Sequence, residues 1–257
     1  MNDVVINAIQ QKIMTTESLT FTSLRQIAGR DMNAQASLNR GRAIIDCPTL
    51  LNQYLYSYGL MVQRQWSHVV PNIVEMLSDN NGQDMHLYDY GCGQGLATLL
   101  LIENTSGLQE DISQITLIEP SEIALKRAKS IIECKLPHLN IQTFTKELDD
   151  IEENHLSINT DKMNIHIFSN ILDIEGFDQF ELFNKILAKG GTHYFIAVSN
   201  DRNCYGGTSR LESIFDALMG LEPEENEIFN VTHGQFERFS DEKNMNHVYF
   251  CLKIEIN

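Results

Sequence analysis

The chain has 257 residues, 42% of them hydrophobic and 21% charged, with a formal net charge of −16; that is enough to bury the core of one large α/β domain plus an appendage. No apolar run approaches the roughly 18 residues a membrane span needs, and the opening MNDVVINAIQQK lacks a signal-peptide pattern, so a cytoplasmic protein is expected. Residues 1–64 carry a net +2 and residues 65–257 a net −18, a balance that disfavours nucleic acid, whose backbone is held mainly by Lys and Arg. Arg25, Arg30, Arg40 and Arg42 are placed to form a local basic patch, although a solvated helix face and loop is the simpler reading. The five cysteines, at 47, 92, 134, 204 and 251, form no C-x-x-C pair, which excludes the usual pattern of a disulfide framework or a structural zinc.

In chain order, residues 3–14 and 17–28 read as helices, the second capped by Thr15 or Thr16, with Leu19, Leu24, Ile27 and Ala28 as its apolar positions. Residues 29–46 are polar, contain two glycines and read as a loop. Pro48 suits the first turn of a helix whose apolar stripe is Leu51, Leu55, Tyr58, Val62, Trp66 and Val69. Pro71 starts or kinks a further turn to Leu77, and SDNNGQD is a loop. From His86 onward strands and helices alternate, which is the signature of a parallel sheet. Strands are expected at 86–90, 115–119, 139–144, 163–169 and 192–198, with helices at 94–104, 121–135, 146–152, 177–189 and 208–219. Two closing strands, about 228–237 and 246–255, complete an α/β, doubly wound, mostly parallel sheet.

The most informative residues are LYDYGCGQG at 87–95 and Glu119, which closes the apolar run ITLI. An apolar strand leading into a turn with glycines at 91, 93 and 95, then a helix, lets a ligand lie against bare backbone at a positive helix end. A carboxylate ending the next strand can accept hydrogen bonds from two ribose hydroxyls. A dinucleotide site would show G-x-G-x-x-G for its pyrophosphate. Here the spacing is G-x-G-x-G with Leu96 next, and Asp89 would repel a pyrophosphate but pair with the ammonium of an amino-acid moiety.

Acid-x-G-x-G-x-G followed by an acidic strand end resembles the S-adenosylmethionine site of class I methyltransferases, over about residues 86–257. The strings GRAIIDCPTLLNQYLYSYG, IEPSEIALKRA and FSNILDI resemble a group of bacterial methyltransferases in particular. The resemblance implies a seven-stranded sheet with one antiparallel strand, a helical N-terminal cap or lid over 1–80 and a cofactor-binding domain over 81–257. It implies S-adenosyl-L-methionine as cofactor, held by Asp89, Tyr90, Gly91, Cys92, Gly93, Gly95, Glu119 and Pro120. Glu147 and Leu148 fall where the family contacts the adenine amino group, and Ser169, Asn170 and Ile171 where the acceptor meets the sulfonium. The loop 201–206, with Arg202 and Tyr205, and Asp173 line the same cleft in that reading. Tyr54, Tyr56, Tyr58, Gln63 and Arg64 are candidate lining groups from the cap, although amphipathic packing with the hydroxyl reaching water is the simpler reading of each tyrosine.

Methyl transfer needs in-line positioning and desolvation more than catalytic groups. SNIL at 169–172 lacks the prolines that accompany methylation of exocyclic base amines, and no Pro-Cys or Thr-Cys motif marks Cys204 as a nucleophile. Asn170, Asp173, Asn200 and Asp201 have chemistry suited to a hard cation but also serve as strand-end turn formers, so no metal is expected. His166 and His193 lie within strands and His155 in a polar loop, and none reads as a base. The expected function is methyl transfer to a small molecule or a protein side chain. The alternatives are a methyltransferase-like cofactor-binding or scaffold protein without turnover, and a nucleotide-dependent oxidoreductase, which Leu96 argues against. Oligomeric state is not legible.

Overall fold

The computed structural model describes residues 3–41, 44–78, 82–105, 107–201, 207–221 and 229–256. Strands β1 (Met85–Tyr90), β2 (Ile112–Ile118), β3 (Asn140–Phe144), β4 (Met163–Ser169), β5 (Gly191–Asn200), β6 (Phe229–Ser240) and β7 (Asn246–Ile256) form one sheet, ordered β3-β2-β1-β4-β5-β7-β6. Neighbours among β1 to β5 are parallel, and β7 runs antiparallel to both β5 and β6. The strand order reverses between β1 and β4, so a crevice opens outside their carboxyl ends.

Helices cover both faces, as a parallel sheet requires. They are α1 (Val4–Gln10), α2 (Phe21–Ala28), α3 (Pro48–Met76), α4 (Leu96–Asn104), α5 (Leu108–Asp111), α6 (Glu122–Lys135), α7 (Glu153–Leu156), α8 (Gln179–Leu187) and α9 (Gly207–Met219). Alternate residues of each strand point to opposite faces. Leu87, Ile115, Ile165 and Ile167 therefore pack with Trp66, Val69 and Ile73 of α3 and with Leu99 and Ile131 of α4 and α6. On the other face Tyr88, Tyr90, Phe168 and Phe195 pack with Leu182 and Phe183 of α8 and Leu211 and Ile214 of α9. Among the described residues no helix is long and apolar enough to cross a membrane.

Several elements differ from the sequence expectation for identifiable reasons. The first helix ends at Gln10. The second begins after Thr20, where Thr20 Oγ1 accepts from Ser23 N–H and Ser23 Oγ accepts from Thr20 N–H, at 3.1 and 2.9 Å; this capping box outcompetes Thr15 and Thr16. Within 29–46 the chain makes two 3-10 turns, Met32–Ala34 and Ala36–Gly41. Helix α3 continues through Pro71 over 29 residues. The missing N–H costs about 3 kcal/mol, which burial of Trp66, Val69, Val70, Ile73 and Met76 around it offsets. In place of a helix over 146–152 there is a 3-10 turn, Leu148–Asp150, followed by α7. Leu148, Ile151 and Leu156 all enter one core, and the tight turn brings them there.

A chain of buried hydrogen bonds crosses the second face. His193 Nε2 donates to Lys189 O (3.2 Å), so its Nδ1 accepts from His166 Nε2 (3.1 Å) and His166 Nδ1 accepts from the Tyr90 hydroxyl (3.0 Å); with neutral rings this is the one direction that satisfies every member. His86 bonds Thr116 and Tyr88 at 2.8 and 2.9 Å. Burial pulls His86 down to about 3, His193 to about 4 and His166 well below its ordinary value. The unfolded chain takes up these three protons near pH 6.5 while the folded chain does not, so stability falls as pH drops below 6.5, by up to about 1.4 kcal/mol per pH unit for each ring. Asp89, raised to about 7 by burial, opposes this, as do Glu103 and Glu119, which burial also raises. Urea unfolding is expected to give a lower midpoint at pH 5.5 than at pH 7.5, and an equal or higher midpoint at pH 5.5 would contradict the neutral-histidine assignment.

Candidate functional site

The turn after β1 is built from backbone. Gly91, Gly93 and Gly95 adopt φ of +63°, +53° and +78°, values that strain any residue with a Cβ. A Cβ on Gly91 would stand 2.9 Å from the Ile171 side chain, and one on Gly95 3.1 Å from Ala128 of α6, whereas one on Gly93 would meet nothing within 4 Å. The first and third glycines thus allow close packing, and the middle one leaves the cleft open. Cys92 N–H donates to Ile118 O (3.0 Å) and Gly95 N–H to Cys92 O (2.8 Å), fixing the turn against the end of β2.

Glu119, just past β2, faces this turn. Its Oε2 accepts from Gly93 N–H at 2.9 Å and its Oε1 from Ser121 N–H at 3.0 Å. Burial raises its pKa, with the two backbone donors working against the shift. Each oxygen keeps a lone pair for a further donor. Around this pair lies a cleft of about 600 Å³, a size suited to a cofactor or small ligand. It is lined by Gly91, Gly93, Glu119, Pro120, Glu147, Leu148, Ser169, Asn170 and Ile171 among the residues singled out from sequence. Tyr54 of α3 also lines it.

Other sequence candidates sit elsewhere. Asp89, wholly buried, accepts from the Thr98 hydroxyl at 2.6 Å, and its Oδ1 has no hydrogen-bond partner. Tyr90 points into the core on the opposite face of the sheet. Cys92 is buried, which pushes its thiol well above the ordinary range and keeps it neutral. Asp173 accepts from the Ser199 hydroxyl at 3.0 Å. Tyr58 and Arg64 open onto a second pocket rather than the cleft. Arg202, Cys204 and Tyr205 lie outside the described residues, as does Arg42. Asn200 and Asp201 are engaged by Gln65 and by Thr208 and Arg238 respectively.

The structure adds groups that sequence reasoning passed over. Ile45, Leu51, Gln94, Ala124, Asp150 and Phe177 complete the cleft wall, together with Asp149, which the sequence offered beside Glu147 and Leu148 for the adenine contact. Ile45 is held there by the Ser121 hydroxyl, which donates to its carbonyl. At the β4 end, Asn170 (φ +56°) is gripped by Gln65: Asn170 Nδ2 donates to Gln65 Oε1 (2.8 Å) and Gln65 Nε2 donates to Asn170 Oδ1 (3.1 Å). The neighbouring Trp66 Nε1 donates to Ser169 Oγ at 3.1 Å. Helix α3 is thereby latched across the strand end that borders the cleft.

No protein-family profile matches the chain, and no curated protein does. Among solved structures, a DszA carbon methyltransferase is similar over 96% of this chain and 69% of that one, at 11% identity and a TM-score of 0.53. The plantazolicin methyltransferase BpumL, solved with S-adenosylhomocysteine, is similar over 95% and 98%, at 13% identity and 0.47. An S-adenosylmethionine-dependent methyltransferase of Leishmania major is similar over 87% and 95%, at 14% identity and 0.45. The chain has the class I methyltransferase fold, with the seven-stranded mixed sheet and helices on both faces.

Proposed function

We propose that this protein is an S-adenosylmethionine-dependent methyltransferase acting on a small molecule or a protein side chain. The carrying observation is Gly93 N–H bound to Glu119 Oε2 at 2.9 Å beside an open cleft at the sheet's switch point. The residues present fit the cofactor. Glu119 retains acceptor capacity for two ribose hydroxyls, and the bare face of Gly93 admits the methionyl portion. Asp89 Oδ1, buried and unpartnered, is a carboxylate oxygen suited to an ammonium group, reached directly or through water. Glu147 and Leu148, with Asp149 and Asp150, wall the adenine end, while Ser169, Asn170 and Ile171 border the acceptor.

When bound, the cofactor supplies a sulfonium-linked methyl group that is already strongly electrophilic. What remains for the chain is to hold the acceptor in line and keep water out. Residues 1–80 act as the cap in this reading: Ile45, Leu51 and Tyr54 form an apolar wall, and Gln65 and Trp66 fix the cap to the end of β4. No side chain is assigned as a base, and no metal is invoked.

Calorimetric titration with S-adenosylhomocysteine, and with NAD in parallel, tests the assignment. The first is expected to bind and the second not. Pairing with an ammonium requires Asp89 ionised, and burial puts its pKa at about 7. Affinity is therefore expected to fall as pH drops below 7, by at most about tenfold per pH unit, and Asp89→Asn to be weak and flat across the same range. Binding of NAD without binding of S-adenosylhomocysteine would overturn the proposal.

A further inference from the structure

The amide of Gln65 is wholly buried and is held from behind as well as from the cleft side. Its Nε2 donates to Asn170 Oδ1 and to His247 Nδ1 of β7, each at 3.1 Å, with Asn200 Oδ1 at 3.4 Å. Because Nδ1 accepts, a neutral His247 ring carries its hydrogen on Nε2. That nitrogen is buried and makes no hydrogen bond of good geometry, but Asp241 Oδ2 stands 3.4 Å from it.

Asp241, in the turn joining β6 to β7, decides the tautomer. Its Oδ1 accepts from Lys243 N–H at 2.8 Å and Met245 N–H at 2.9 Å, and its Oδ2 from Arg64 Nε at 2.5 Å. Burial works the other way, yet these donors hold its carboxyl well below the usual carboxylate range. An ionised carboxylate this close to Nε2 attracts a hydrogen there and repels a bare lone pair. Burial lowers the pKa of the ring, Asp241 opposes this, and Arg64 and His68 of α3 add to it, so the ring is neutral near pH 7.

The consequence reaches the cleft. With hydrogen on Nδ1, Gln65 would have to turn its Oε1 to the ring, and Asn170 would have to turn in answer, exchanging Oδ1 and Nδ2. As the bonds stand, Asn170 Nδ2 donates to Gln65 Oε1 at 2.8 Å and lies 3.4 Å from Ser169 Oγ, which takes its second hydrogen. The capacity left on this side chain is a lone pair of Oδ1. Ser169 and Asn170 both line the cleft, at the end of β4.

We propose that Asp241 and His247 are positioning residues for methyl transfer: through Gln65 they hold the Asn170 amide with Oδ1 toward the transferred methyl, which selects an acceptor whose nucleophilic nitrogen or oxygen carries a hydrogen to place on Oδ1. The inference rests on the methyltransferase reading and narrows its acceptor. The acceptor's lone pair forms the bond to the methyl carbon, the carbon–sulfur pair passes to sulfur, and the acceptor's proton goes to water, because a neutral amide oxygen accepts a hydrogen bond without keeping the proton.

Sinefungin, in which an amine-bearing carbon replaces the methylated sulfur, puts an N–H donor at the place of transfer and serves as the probe beside S-adenosylhomocysteine. Calorimetry at pH 7.5 is expected to show the wild type binding sinefungin roughly tenfold more tightly. His247→Leu is expected to remove most of that preference while affinity for S-adenosylhomocysteine stays within about twofold, which also shows that the variant is folded. His247→Asn, whose amide oxygen can stand where Nδ1 stands, is expected to keep most of the preference although it too removes the ring. Long-range proton–nitrogen NMR of the isotope-labelled chain is expected to place the His247 hydrogen on Nε2 in the wild type and on Nδ1 in Asp241→Asn, with the preference falling in that variant as well; this pair carries the test if His247→Leu does not fold. Equal affinity of the wild type for both ligands, a preference that survives His247→Leu, its equal loss in both His247 variants, or a wild-type hydrogen on Nδ1 each overturns the proposal. If S-adenosylhomocysteine does not bind the wild type, the cofactor reading fails and takes the transfer role with it, while the tautomer still decides whether Asp241 sets His247.

Discussion

Glu119→Ala is expected to lower affinity for S-adenosylhomocysteine by 100-fold or more. Hydrogen bonds from hydroxyls to a carboxylate contribute about 1.5–3 kcal/mol each, and two ribose hydroxyls are at stake. The same substitution strips the partners from Gly93 N–H and Ser121 N–H, held at 2.9 and 3.0 Å, so some loosening of the turn is expected as well. Gly93→Val separates the two effects. Its Cβ would meet no protein atom within 4 Å, and its φ is +53°, so the cost to the fold is the left-handed strain alone, about 1–2 kcal/mol. The added methyls nevertheless stand in the open cleft. Product binding is therefore expected to vanish by calorimetry while the thermal midpoint moves by a few degrees. A Gly93→Val protein that binds the product as the wild type does would show that the cleft beside Glu119 is not where it sits.

The largest stability effect is expected at Arg127 of α6. Its side chain is fully buried, and its guanidinium joins three separate parts of the chain. Nε donates to Asp3 Oδ2 at 2.8 Å, Nη2 to Asn52 Oδ1 at 2.8 Å, and Nη1 to Gln94 Oε1 at 3.1 Å. Asp3 caps α1 through Val5 and Ile6, Asn52 belongs to the first turns of α3, and Gln94 lies within the glycine turn. Arg127→Ala leaves a largely buried carboxylate and two amides without their partner, which is expected to cost about 3–5 kcal/mol. For a chain of this length that lowers the thermal midpoint by roughly 6–20 °C. Arg127→Lys restores the charge but not the fork, so only partial recovery is expected. Calorimetric melting of both variants checks this, and an alanine variant within 1 °C of wild type would contradict the role given to Arg127.

The same residues show what was legible beforehand. The glycine turn and Glu119 could be read because main-chain geometry forces them: three positive φ values need three glycines, and a strand-end acid announces itself by its place after an apolar run. The sheet could be read from the alternation of strands and helices, down to the antiparallel closing strand. What could not be read depends on partners distant in sequence. Nothing in IEPSEIALKRA distinguishes Arg127 from a solvated helix residue until Asp3 and Asn52 are brought to it. Gln65 is 105 residues from Asn170, and no periodicity links them. Asp89 was legible as an acid but not as a buried one, because depth beneath the turn is set by the packing of Thr98. Tyr90 was read as part of the site on chain position, and the period-two alternation of β1 turns it to the opposite face. Pro71 reads as a break in isolation and is overridden by the apolar residues on either side of it.

The central claim is that the carboxylate of Glu119 and the open backbone of Gly93 together grip an adenosyl cofactor. A crystal structure of the protein with S-adenosylhomocysteine tests it most directly. The account predicts both ribose hydroxyls within hydrogen-bond distance of Glu119 and the homocysteine portion along Gly91 and Gly93. Product bound elsewhere, or with its ribose turned away from Glu119, would contradict it.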